Sequence, residues 1–150
     1  MGAAIATPLN QVFLSYSKPD AESARRIYGT LSAAGHKVWF DEESLIAGQD
    51  WDRAIEAAIR SSGAFVSLFS EEALGKRGVF QRELRHALRV AEDMPPGAIF
   101  IIPVALDHRV FASLPIELAK YHCVPIEADI HLLCALDFAL GTNFRPGYLQ

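Results

Sequence analysis

Within Gly78-Val79-Phe80-Gln81-Arg82-Glu83-Leu84-Arg85-His86-Ala87-Leu88 the apolar residues recur at helical spacing, and one acidic residue stands at the edge of their stripe. With Glu83 at zero on a wheel of about 100° per residue, Phe80, Leu84, Ala87, Leu88 and Ala91 fall between roughly 40° and 140°. Arg82, Arg85 and Arg89 point the other way, into solvent. Position 87 is Ala, so no cation four residues on makes Glu83 half of a surface ion pair. A carboxylate so placed is suited to accept hydrogen bonds from hydroxyl groups and to set negative charge beside a cationic centre. The plainer alternative is a rim carboxylate favoured by the dipole of a helix N-terminus.

The elements that must position Glu83 read as strand and helix in turn. QVFLSYS, from Gln11, is a β-branched and aromatic run, and KPDAESARRIYGTLSAAG then aligns Ala24, Ile27, Leu31 and Ala34 before Gly35. HKVWF predicts a second strand, closed by the polar DEESLIAGQD, after which WDRAIEAAIRSSG carries Trp51, Ile55, Ala58 and Ile59 on one face. AFVSLFS predicts a third strand, followed by a glycine-bearing loop and the helix of Glu83, which DMPPG ends. AIFIIPVAL is a fourth strand. DHRVFASLPIELAKY reads as loop with a helical turn, HCVPI as a short fifth strand and DIHLLCALDFAL as a last helix.

Strands that read as apolar runs and not as strict alternation, and that alternate with helices, indicate an α/β fold with a parallel sheet covered on both faces. Ligands gather at the carboxyl ends of such strands, near the switch point of the strand order. That rim is predicted to comprise Ser15 to Asp20, Asp41 to Trp51, Ser70 to Phe80 and Ala105 to Arg109, with Glu83 close by. Along it, Trp51 either stacks on a flat ring or anchors its helix, Asp41 receives hydroxyl groups or starts a turn, and Ser70 contacts a ligand or caps the next segment.

Composition narrows the function. The chain's 150 residues with 51% hydrophobic content suit one domain with a sizeable core. A net charge of −4 provides no basic field for a phosphate backbone, so nucleic acid is not an expected direct ligand. Cys123 and Cys134 are too few for a disulfide scaffold and are read as reduced core thiols. The five histidines, at 36, 86, 108, 122 and 131, are dispersed, and no metal or cofactor is expected. MGAAIATPLN lacks the pattern of a secretory signal and no apolar run is long enough to span a membrane, which together read as a disordered leader over residues 1–10 of a cytoplasmic protein. G-x-G-x-x-G, G-x-x-x-x-G-K-[ST] and G-x-S-x-G are all missing, which removes dinucleotide redox chemistry, P-loop hydrolysis and the nucleophile elbow. A phosphoacceptor receiver would want acids after the first strand and an Asp closing the third, where Ser15-Tyr16-Ser17 and Ser70 stand.

VFLSYS, VWFDEESLIAGQDW, SEEAL followed by VFQREL, and IIPVAL occur in that order and spacing, and together they resemble the successive boxes of the Toll/interleukin-1 receptor (TIR) domain family over residues 11 to 127. The resemblance implies a flavodoxin-like three-layer sandwich, a five-stranded parallel sheet with helices on both faces, occupying residues 11–141 and leaving 142–150 as tail or linker. It also implies one of two roles: an enzyme that cleaves NAD+ at the nicotinamide-ribose bond, or a non-enzymatic adaptor or decoy that acts through TIR-TIR contacts. In the enzymatic branch a glutamate on this helix is catalytic, and Glu83 occupies its place. Arg77, Val79 and Phe80 stand where family members commonly have Ser, Trp and Cys, a departure that bears on the pocket wall.

For the enzymatic branch the resemblance points to Phe13, Tyr16, Ser17, Asp41, Trp51 and Ser70 as substrate contacts, with Phe13 equally suited to the core. NAD+ is then a substrate and not a cofactor, and nicotinamide leaves with ADP-ribose or a cyclic form as the other product. The family further implies a homo-oligomer in which the Asp41 to Trp51 loop completes a neighbour's site, a sensor outside this chain, and bacterial antiviral defence as the setting. No membrane or nucleic-acid partner is expected.

Overall fold

The computed structural model describes residues 11–40, 48, 50–74, 79–94, 97–114, 118 and 120–140. The expected leader, the tail after Leu140 and Asp41 lie outside them. The order is β1 (Gln11–Ser15), a 3-10 turn (Lys18–Asp20), α1 (Ala21–Ala33), β2 (Lys37–Trp39), α2 (Trp51–Arg60) and β3 (Ala64–Phe69). Then follow α3 (Glu71–Leu74), α4 (Val79–Glu92), β4 (Ile101–Ala105), α5 (Val110–Ser113), β5 (Val124–Pro125) and α6 (Asp129–Leu140). The alternation is the one the hydrophobic pattern predicts, with one addition: where a loop was expected after β3, the short α3 precedes the helix of Glu83.

The helix boundaries follow from local chemistry. Gly35 takes φ 92, a left-handed conformation in which a side chain would be strained, and closes α1. Its N–H donates to Ser32 O and that of His36 to Leu31 O, both at 3.0 Å, so the carbonyls left over by the last turn are satisfied in a Schellman motif. At the start of α2, Asp50 accepts from the Arg53 N–H at 3.2 Å. That removes one of the four unmatched donors of the first turn.

All five strands run parallel in the order β2-β1-β3-β4-β5. Side chains alternate across each strand, so β1 and β3 serve two cores. Phe13, Phe65 and Phe69 face α2 and α4, meeting Ile55, Ile59, Leu84 and Ala87. Val12, Leu14, Val66 and Leu68 face α1 and α6, meeting Ile27, Leu31, Leu132 and Leu136. Every residue of β3 is buried, which is why its sequence is an apolar run broken by Ser67 and without polar alternation. The flavodoxin-like three-layer sandwich is therefore the architecture of the chain. Among the described residues no helix is long and apolar enough to cross a membrane.

His36, between α1 and β2, is half-buried, and that burial lowers its pKa against the opposing pull of the Asp137 carboxylate. A folded-state pKa below the unfolded value of about 6.5 means that the unfolded chain takes up this proton first as pH falls. The stability associated with neutral His36 is complete above about pH 6.5, declines below it and levels off once the folded protein is also protonated. Thermal melts at pH 7.5 and 5.5 should show a smaller acid-induced loss for His36→Gln than for the wild type.

Candidate functional site

The strand order reverses direction from β1: one connection leads to β2 on its left, the next to β3 on its right. The switch point is thus the gap at the carboxyl ends of β1 and β3, and Ser15 and Ser70 are the residues that end or follow these strands. Helix α4 packs on the face of the sheet that carries Phe13 and Phe65, through Leu84 and Ala87. One residue before Leu84, Glu83 is carried under the rim: it is only 6% exposed, and Ser15 Oγ donates to its Oε2 at 2.7 Å. A short hydrogen bond to a carboxylate, with both partners buried, is of the strong kind and fixes where the charge sits. Arg85 and Arg89 are exposed, as the helical wheel requires.

A second carboxylate lies on the same rim. Asp20 ends the 3-10 turn after β1, and its Oδ2 accepts from Ser17 Oγ at 3.0 Å and from Ser70 Oγ at 2.8 Å. Two of the serines expected at the site are therefore brought together by one aspartate, which ties the end of β3 to the loop after β1. Replacing Asp20 by Ala should lower unfolding free energy by about 1–2 kcal/mol, since hydrogen bonds to charged groups contribute about 1.5–3 kcal/mol when buried and these two are partly solvated. Urea unfolding measures it, and Asp20→Asn should recover part of the loss by keeping an acceptor. Farther along the rim, Asp107 Oδ2 accepts from the Glu71 N–H at 3.3 Å and Arg109 pairs with Glu71 at 2.8 Å. That exposed pair contributes little.

The other expected contacts divide by side. Phe13 is 1% exposed and stacked between Trp39 and Phe65, at ring centroid distances of 4.8 and 5.3 Å. Of its two sequence readings, ligand flank or core, it occupies the core, because residue 13 lies too deep in β1 to reach the rim. Tyr16 is half-buried and stacks on Phe40 at 5.2 Å, packing with the α1 and α6 layer and so on the face of the sheet away from Glu83. Trp51 is the first residue of α2. Gly48 holds φ 86, so its glycine answers a left-handed backbone in the loop between β2 and α2.

Sequence reasoning marked the rim segment from Ser15 to Asp20 but singled out neither Ser15 nor Asp20. For Ser15 the signal was the period of two: residues 13 and 15 share a face, and the apolar stripe of α4 had to cover that face. Of Asp20's two partners, Ser17 is three residues away, but no pattern in the sequence names Ser70, which follows a strand fifty residues on.

A cavity of about 530 Å³ lies elsewhere, between α6 and the β4–β5 edge, lined by Ile101, Ile102, Val124, His131 and Cys134 among others. Its walls are mostly aliphatic, and none of the rim carboxylates belongs to it. Nearby Cys123 is no thiolate nucleophile, because burial pushes its thiol up to about 11.

Comparison with known proteins agrees with this fold. The family model for the TIR domain matches residues 12–131. Among curated proteins none matches the sequence. The fold is similar to that of a metazoan TIR-STING receptor from C. gigas in complex with 2′,3′-cGAMP, with TM-score 0.69 and 19% identity over 83% of this chain and 38% of that one. It is also similar to the TIR domain of the Toll-related receptor TRR-2 from Hydra magnipapillata, with TM-score 0.64 and 18% identity over 85% and 90% of the two chains. The TIR domains of the activated Roq1 resistosome, which directly recognizes the pathogen effector XopQ, match with TM-score 0.58 and 20% identity over 87% of this chain and 81% of that one. This chain thus spans well under half the length of the TIR-STING receptor. A family match over most of the sequence, on a five-stranded parallel sheet with its polar residues at the switch point, establishes that the chain belongs to the TIR domain family.

Proposed function

We propose that this TIR domain is an NAD+ glycohydrolase of the bacterial effector type, with Glu83 as its catalytic residue. The observation that carries the reading is the buried Glu83 carboxylate, hydrogen-bonded by Ser15 at the rim where the strand order reverses. Glycoside hydrolysis generally uses two carboxyl groups because an alkoxide leaving group must be protonated as it departs. The leaving group of NAD+ is already a pyridinium. When the bond from ribose C1′ to the ring nitrogen breaks, its electron pair goes with the base, which leaves as neutral nicotinamide and needs no acid. What remains is an oxocarbenium-like ribose, and a single carboxylate held beside it supplies the required charge while accepting hydrogen bonds from the ribose hydroxyls. Water then adds at C1′ and loses a proton, giving ADP-ribose; attack by a nitrogen of the adenine gives a cyclic ADP-ribose instead.

Ser17 and Ser70, aligned by Asp20, are the proposed hydroxyl contacts to the substrate on the same rim, with Trp51 and Asp41 from the neighbouring loop. Phe13 and Tyr16 act behind them by packing. Activity is proposed to need assembly, in which the loop before α2 completes the site of an adjacent copy, and to serve an immune response triggered through a sensor. The setting is supported by the receptor and resistosome whose TIR domains share this fold. The test is incubation of concentrated protein with NAD+, with nicotinamide release followed by chromatography beside the Glu83→Gln variant. Release by the wild type alone supports the enzyme; equal release by both, or signalling that survives loss of Glu83, supports an adaptor acting by TIR-TIR contact.

A further inference from the structure

Ser67, in the middle of β3, is fully buried, and its hydroxyl has no hydrogen-bond partner among the described residues. A buried hydroxyl left unmatched is destabilising, and each such group in a folded protein calls for a reason. Its place suggests one. The strand register sets Ser67 beside Ser15, on the face that carries Phe13, Phe65 and Phe69 and is covered by Leu84 and Ala87 of α4. Two residues earlier, the register partners Phe13 and Phe65 stack, so side chains paired this way lie next to each other on this face. Adjacent strands are about 4.8 Å apart. The Glu83 carboxylate, 2.7 Å from Ser15 Oγ, is thus bound to the residue that the register places directly beside Ser67. On its other flank Ser67 is paired with Pro103, whose ring offers no polar group.

We propose that Ser67 is a positioning residue for Glu83: its hydroxyl engages the carboxylate alongside Ser15 once substrate occupies the rim. Glu83 is then held by two hydroxyls beside the ribose cation, and the free domain tolerates an unmatched donor for the sake of the occupied state. The inference deepens the NAD+-cleaving reading and rests on it.

This role leaves a signature that ordinary packing does not. Ser67→Ala removes the unmatched hydroxyl and should raise Tm by about 2–4 °C. The same variant should lower kcat about tenfold, the loss of one hydrogen bond to a charged group, with KM unchanged because the bond forms to Glu83 and not to substrate. Ser67→Thr keeps the hydroxyl in a strand-compatible side chain and should restore most of kcat. The experiment measures nicotinamide release against NAD+ concentration for concentrated wild type, Ser67→Ala and Ser67→Thr, with thermal melts of each. An active wild type with an equally active Ser67→Ala overturns the proposal, as does a fall in kcat that comes with a fall in Tm and is not recovered by Thr. A wild type that releases no nicotinamide under any assembly condition removes the enzymatic reading itself, a result distinct from either.

Discussion

Replacing Glu83 by Gln is expected to abolish nicotinamide release while leaving the domain folded. The amide is nearly isosteric with the carboxylate and keeps an oxygen that can accept from Ser15 Oγ, so the buried hydrogen bond at 2.7 Å has a successor. What is lost is the negative charge. A preorganised group that stabilises charge developing in the transition state is typically worth about 10²–10³ in kcat, and more where water is excluded, because a low local dielectric strengthens the interaction. At 6% exposure Glu83 meets that condition. Steady-state turnover and a urea melt of the two proteins measure the two halves of the expectation separately. Turnover retained at the wild-type level would refute the catalytic assignment, and a collapse of the melt would show that the residue serves the fold.

Phe13→Ala is expected to have the largest effect on stability, about 3–5 kcal/mol, the usual range for deleting a fully buried phenyl ring. The ring is 1% exposed and lies between Trp39 and Phe65, so its removal leaves a gap bounded by two aromatic faces and forfeits both stacking contacts. Domains of this size are stable by only about 5–15 kcal/mol, so the variant should unfold at markedly lower urea and accumulate poorly. Phe13→Leu separates this role from a ligand contact. A core position predicts a lower Tm with KM unaltered; a ring that flanked nicotinamide would give a raised KM at unchanged Tm.

The strand and helix order, the parallel sheet and the helical face bordered by Glu83 were all legible in the sequence, because each rests on the spacing of apolar residues along a short stretch of chain. The β3 run AFVSLF and the α4 run VFQRELRHAL specify burial on two faces or on one stripe without reference to anything distant. The TIR boxes were legible as a resemblance, because four short motifs stand in the family's order and spacing. Whether Phe13 and Tyr16 reach a ligand or the core was not, since a strand's sequence gives the alternation but not the depth at which the strand ends beneath its rim. Nor was the Ser15 to Glu83 bond, which joins residues 68 positions apart, or the clasp of Ser17 and Ser70 on Asp20. Those contacts exist only once the β1–β3 register is set and α4 has settled its apolar stripe onto the sheet. The sequence by itself determined the order of strands and helices and on which element each candidate residue rides. The tertiary structure decided which of them meet, because hydrogen bonds act over about 3 Å and only long-range packing brings side chains from separate strands and helices that close.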